Sequence, residues 1–243
     1  IFEVEIEGQP TGAIVEYYIA IEDTFGSSTG AIPSGADKEV YPNLPYFILV
    51  DVHPELINDS DDYSDFGVWQ LGTSDDAATT GEWEEAWPVG SFGTPGDPST
   101  IVAPDEDHTD GAVGYCFVTG NSSSPTGGIG ENDVDGGHTT LTSPTIDLSA
   151  YEDPLFTYWR WYVNAPPSGA NPGQDWWQVE VSDDDGSTWS FIENNSTQDI
   201  SWRRNAFRIS EYVELTDQFK IRFIASDSLH IGQNLDGGSL IEG

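Results

Sequence analysis

Apolar and polar residues alternate with a period of two along much of this chain. Phe2, Val4 and Ile6 alternate with glutamates, and Val15, Tyr17, Ile19 and Ile21 alternate with Glu16, Tyr18, Ala20 and Glu22. That period places successive side chains on opposite faces of a half-buried strand. Phe47 and Leu49 begin a further strand within the apolar run Tyr46-Phe-Ile-Leu-Val50. From residue 66 onward the same signal predicts strands over 66–71, 82–87, 113–119, 138–142, 155–163, 176–182, 188–193, 202–209 and 218–225. Gly, Pro, Asp, Ser and Asn fill the loops between them, and no apolar stripe of helical spacing reaches a useful length. The expected fold class is all-β, built as a β-sandwich.

The pattern divides the chain. Residues 1–50 supply three strands, too few for a stable sandwich. They are expected to form the C-terminal half of an Ig-like or fibronectin type III-like domain. The phrase Tyr17-Tyr-Ile-Ala-Ile-Glu-Asp-Thr-Phe-Gly26 resembles a strand and turn of bacterial Ig-like modules. Residues 51–65, acidic and turn-rich, are expected to be a linker, and residues 66–243 the main sandwich. Its loops over 72–81, 88–112 and 120–137 are long and hold most of the acidic clusters. Loops of that length bind something or are stiffened by ions. The chain opens mid-strand at Ile1 without an initiator Met and is expected to be a fragment or a processed chain.

Charge narrows the partners. The chain carries 43 acidic and 7 basic side chains, a formal net charge of -36. Such a surface repels nucleic acid and anionic lipid. No segment approaches the ~18 apolar residues of a membrane span, so membrane insertion is not expected. Nine Trp, ten Tyr and eleven Phe supply core material that a disordered acidic chain lacks. The single cysteine, Cys116, excludes an intrachain disulfide and lies in a strand-like run as a core residue. The acidity has two readings: cation-binding loops in an acidic secreted protein, or adaptation to high salt. At ~1 M salt the screening length falls to about 3 Å and self-repulsion nearly vanishes.

Three groups of residues carry candidate chemistry. Asp105, Asp107 and His108 in one loop, and Asp133 and Asp135 in another, are candidate metal ligands. Calcium takes about 6–8 oxygens, many from loop carboxylates and carbonyls, and Asp133 and Asp135 stand two apart before a Gly-Gly turn. Solvated loop carboxylates are the plainer reading. Tyr158, Arg160 and Tyr162 share one face of a strand, with Trp176 and Trp177 on another. These five side chains are candidates for a ligand platform on which sugar rings stack, with core packing as the alternative use of most of the rings. Ser182-Asp-Asp-Asp-Gly-Ser-Thr-Trp189 fits S-x-D-x-G-x-x-W, the Asp-box hairpin, in which Asp184, Gly186 and Trp189 are structural. No G-x-S-x-G elbow and no phosphate-binding Gly loop occurs, and carboxylates are too abundant for any pair to stand out as a glycosidase site. An enzyme is not expected.

Residues 66–242 also resemble the MAM-like jelly-roll modules of large secreted proteins of Bacteroidetes-type bacteria. The matching phrases include Asp75-Asp-Ala-Ala-Thr-Thr-Gly-Glu-Trp83, Pro104-Asp-Glu-Asp-His-Thr109, Cys116-Phe-Val-Thr-Gly-Asn121, Asp133-Val-Asp-Gly-Gly137 and Leu141-Thr-Ser-Pro-Thr-Ile-Asp-Leu-Ser149. They continue through Tyr158-Trp-Arg-Trp-Tyr162 and Arg222-Phe-Ile-Ala-Ser-Asp227. The resemblance implies a jelly-roll sandwich preceded by a partial Ig-like one, extracellular or on a bacterial cell surface, non-catalytic and stabilised by structural Ca2+. It implies an accessory role in spacing, adhesion or substrate attachment beside other domains of a larger surface protein. One rival is a carbohydrate-binding module that holds polysaccharide on aromatic rings. Another is a filament subunit that self-associates by donating strands to incomplete sheets. If the acidity is an adaptation to salt, the melting temperature climbs as sodium chloride is raised from low to molar levels with calcium saturating. A flat response assigns the charge to cation-binding loops instead.

Overall fold

The computed structural model describes residues 3–22, 29–33, 43–51, 68–94, 97–108, 114–124, 126, 131, 133–164 and 175–227. The linker over 51–65, apart from Asp51, lies outside these residues, as do Phe2 and Asp110. The chain is all-β. In the N-terminal part the strands are β1 (Ile14–Tyr17), β2 (Ile19–Glu22), β3 (Thr29–Ile32) and β4 (Tyr46–Leu49). They continue with β5 (Gln70–Leu71), β6 (Trp83–Ala86), β7 (Ser91–Phe92), β8 (Ile101–Ala103) and β9 (Cys116–Thr119). The longer strands follow: β10 (His138–Thr142), β11 (Leu155–Tyr162), β12 (Trp176–Ser182), β13 (Ser190–Asn195), β14 (Asp199–Arg208) and β15 (Lys220–Ser226).

One layer is a five-stranded antiparallel sheet in the order β13-β12-β15-β10-β5. Its inner face follows from alternation. Trp177, Val179 and Val181 of β12, Ile221, Phe223 and Ala225 of β15, and Leu141 of β10 all point into one core. The antiparallel pair β11–β14 supplies the opposing face through Phe156, Tyr158, Tyr162 and Phe207. Trp177 sits between the layers, its ring 5.7 Å from Tyr162 and 6.0 Å from Phe223. Burying side chains of this size stabilises by roughly 2–3 kcal/mol each. The result is a β-sandwich.

Three further features place the functional surfaces. Leu44, just before β4, is buried in the same core as the sandwich residues. The N-terminal strands are thereby anchored to the main body. The β7–β8 pair covers part of the outer face of β11, where the Trp161 indole donates to the Val102 carbonyl at 2.7 Å. Gly81, at φ +72°, lets its loop touch the next one: a Cβ there would lie 2.5 Å from the Asp133 and Val134 backbone. The Asp-box turn has its expected geometry. Asp184 accepts from the Thr188 amide at 2.8 Å, and Gly186 takes φ +88° above the Trp189 ring.

The strand pattern departs from the sequence reading where alternation lacked a neighbour. Val4 is 88 % exposed and the segment around it pairs with no strand among the described residues. The alternating run over 15–21 breaks at Tyr18, so that β1 pairs with β4 and β2 with β3. Strands β7 and β8 lie inside the expected 88–112 loop and are too short to carry a period-two signal.

Candidate ligand cleft and acidic cluster

Alternation along β11 separates an interior from a surface. Tyr158, Arg160 and Tyr162 face inward, whereas Thr157, Trp159 and Trp161 face outward. Arg160 is 1 % exposed. Its Nη1 lies 2.6 Å from Glu193 Oε2 and its Nη2 2.6 Å from Asp199 Oδ2. The guanidinium also rests 5.7 Å from the Tyr162 ring and 5.6 Å from the Trp177 ring. Arg203, opposite it on β14, bonds Asp199 at 3.2 Å and donates to the Leu44 carbonyl. The Tyr158 hydroxyl donates to Glu193. Burial alone works against the charge on Arg160, but Glu193 and then Asp199 outweigh it and hold its pKa above the usual value. Burial, reinforced by Glu193, lifts Tyr158 well above the ordinary tyrosine range.

This geometry places the five expected ligand residues in the interior. Tyr162 and Trp177 are fully packed, and Tyr158 packs against the same core. Trp176 is buried on the outer face of β12, its indole donating to Asn194. Arg160 is committed to two carboxylates. No sugar ring reaches these side chains here. Trp159, on the opposite face of the same strand, was not among the five expected ligand residues.

The outward face forms an open cleft of about 450 Å³, within the size range of ligand sites. Trp159 and Trp202 line one side, and Tyr17, Tyr46 and Phe47 of the N-terminal strands line the other. Asp199, Arg203 and Arg204 complete it. Trp159 is 38 % exposed and stands opposite Arg204 in the β11–β14 register. The Arg204 guanidinium lies 5.7 Å from the Phe47 ring, and that of Arg203 lies 5.2 Å from the Tyr46 ring. His108 stacks on Trp159, with centroids 3.3 Å apart and planes 17° apart. That residue, expected among metal ligands, therefore stands at the rim of the cleft. Asp105 is exposed and Asp107 half-buried on the same loop.

Asp133 and Asp135 belong elsewhere. The Thr80 hydroxyl donates to the Asp133 carbonyl at 2.8 Å and lies 3.3 Å from Asp135 Oδ2. Gly136 N–H donates to Asp227 Oδ2 at 2.8 Å. Asp133 is 5 % exposed and Asp227 fully buried. Burial first, then the Asp135 and Asp227 charges, push Asp133 up to about 7. Trp176 faces Ser226, so extending that register brings the buried Asp175 opposite Asp227. Among the described residues no group of three or more His, Cys, Asp or Glu side chains is arranged to hold a metal ion. Asp227 stands at the next inward position after Ile221, Phe223 and Ala225, and the sequence carried it only within the resemblance phrase Arg222-Phe-Ile-Ala-Ser-Asp227.

No family model matches this chain, and neither a curated protein nor a solved structure matches it. The class defined by fold and site is a β-sandwich with an aromatic cleft on its outer face and a buried acidic cluster.

The acidic cluster generates a pH test. The folded-state pKa of Asp133, about 7, lies above its unfolded value near 3.8. Between those values the folded chain holds the extra proton, so stability falls as pH rises through the window. In metal-free buffer Asp133→Asn therefore gains stability over the parent as pH is raised from about 4 to about 7, then levels off, by up to roughly 4 kcal/mol. Urea denaturation across that range measures it, and a pH-independent difference refutes it.

Proposed function

We propose that this chain is a non-catalytic accessory module that attaches a larger extracellular or cell-surface protein to polysaccharide. The single observation carrying this reading is the cleft: indole and phenol rings are exposed on both of its walls, beside guanidinium groups. Flat aromatic faces stack on the C–H faces of sugar rings, while planar polar side chains bond their hydroxyls. The carboxylate lining the cleft, Asp199, is tied to Arg160 and Arg203 and is not free to act as a general acid or base. In this proposal residues 66–243 form a MAM-like jelly roll beside an Ig-like segment, a finer form of the two-layer antiparallel sandwich.

The binding residues in this proposal are Trp159, Trp202 and Tyr17. On a glycan array followed by calorimetry, the parent binds and Trp159→Ala loses about tenfold or more in affinity, since one ring stack contributes on the order of 1 kcal/mol or above. A Trp202→Ala variant behaves alike, with circular dichroism unchanged. Absence of any glycan binding at millimolar concentration overturns the reading.

A second reading concerns calcium. We propose that a structural Ca2+ draws Asp133, Asp135 and Asp227 into a ligand set that they do not form without it. A carboxylate that is buried beside two others, with no cationic side chain among the causes of its shift, suits a hard cation. The loop Asp105, Asp107 and His108 is left out of this shell. Titrating calcium into the stripped protein releases heat and raises the melting temperature, and Asp133→Asn abolishes both. No heat and no gain in melting temperature overturn it.

A further inference from the structure

We infer that the saccharide held in the cleft is acidic and that Arg204 binds its carboxylate; this rests on the cleft being a glycan site. The observation is one of pairing. The chain has 43 acidic side chains for 7 basic ones. Among the described residues Arg160, Arg203, Arg208, Lys220 and Arg222 each lie within ion-pair distance of a carboxylate. Arg204 alone does not. It is exposed, and its recorded contact is with the Phe47 ring, which attracts the charge but accepts none of the five N–H bonds as a carboxylate does.

The position of Arg204 strengthens the point. It stands directly across from Trp159, so the two side chains project from the same face of the β11–β14 pair. Beneath them Arg160 and Arg203 are offset by Glu193 and Asp199. Those two guanidiniums are committed to carboxylates, and Arg204 is the cleft arginine without one within ion-pair distance among the described residues. A pyranose set on the face of Trp159 that His108 does not cover, and carrying a carboxylate on its ring, offers the fork of Arg204 a bidentate partner. A neutral sugar leaves that fork to water. Long-range repulsion of the anionic ligand by the rest of the surface is confined to about 8 Å at ~0.15 M salt, whereas the direct pair forms within that distance.

The test uses oligosaccharides of galacturonic, glucuronic and mannuronic acid, each as the free acid and as its methyl ester, at ~0.15 M salt and fixed calcium. Calorimetry is expected to show at least one free acid binding about tenfold more tightly than its ester. Arg204→Gln, an outward substitution that leaves the fold intact by circular dichroism, erases that difference. Trp159→Ala weakens acid and ester alike. Equal binding of acid and ester, or an acid preference that survives Arg204→Gln, overturns the inference and leaves glycan binding standing. Preference for a sulfated glycan without carboxylates, or equal binding of polyglutamate, also overturns it. Binding of none of these, nor of neutral glycans, overturns both readings.

Discussion

The guanidinium of Arg160 is the point on which the two layers meet. It reaches Glu193 on β13 of the large sheet and Asp199 on β14 of the small one. Through Asp199 it is coupled to Arg203, and Arg203 holds the Leu44 carbonyl ahead of β4. One buried network therefore ties both faces of the sandwich and the N-terminal strands. Burying such charges is costly, and their attraction repays the desolvation only when nearly every donor and acceptor is used. Here the Tyr158 hydroxyl takes one Glu193 oxygen, Arg160 the other, and both arginines share Asp199, while the buried Nε atoms of Arg160 and Arg203 have no hydrogen-bond partner among the described residues. Losing one partner from such a set costs about 3–5 kcal/mol, more than a typical surface contact provides.

That network also shapes the cleft. Asp199 and Arg203 belong both to the buried set and to the cleft lining. Arg203 lies under Tyr46 while its neighbour Arg204 lies under Phe47. Alternation on β14 sends one guanidinium in and the next out. The inward one fixes β4 in place, and the outward one faces the space that β4 thereby encloses. A rigid base beneath an aromatic wall limits the ordering cost of binding.

Strand positions were legible because the main sheet is buried by alternation. The segments 138–142 and 176–182 match β10 and β12 residue for residue, since both lie inside a five-stranded sheet. The cleft was not legible, for a physical reason. In Tyr158-Trp-Arg-Trp-Tyr162 both alternating sets are bulky, so periodicity cannot say which set faces water. An arginine in one set suggests the surface, yet Glu193 and Asp199, more than thirty residues away, carry Arg160 inside. The opposite set, with Trp159, is the one left exposed. The acidic cluster was legible only in part. Asp133 and Asp135 announce themselves by spacing, but Asp227 joins them through the β15 register, which local sequence does not encode.

Charge placement follows the same logic. Four of the basic side chains, Arg160, Arg203, Arg204 and Arg208, lie on β11 and β14. In so acidic a chain an exposed arginine is readily met by a flexible carboxylate, and Arg208 is so met by Asp153. Arg204 escapes because its neighbours are rings: Trp159 across the strand and Phe47 above. The Phe47 ring supplies attraction for the cation without accepting its N–H bonds. The aromatic walls thus do two things at once. They offer the faces on which the proposed sugar ring would stack, and among the described residues they leave one guanidinium without a carboxylate within ion-pair distance. At the acidic cluster the condition is reversed: burial gathers like charges, and Asp133 answers by holding its proton to about pH 7.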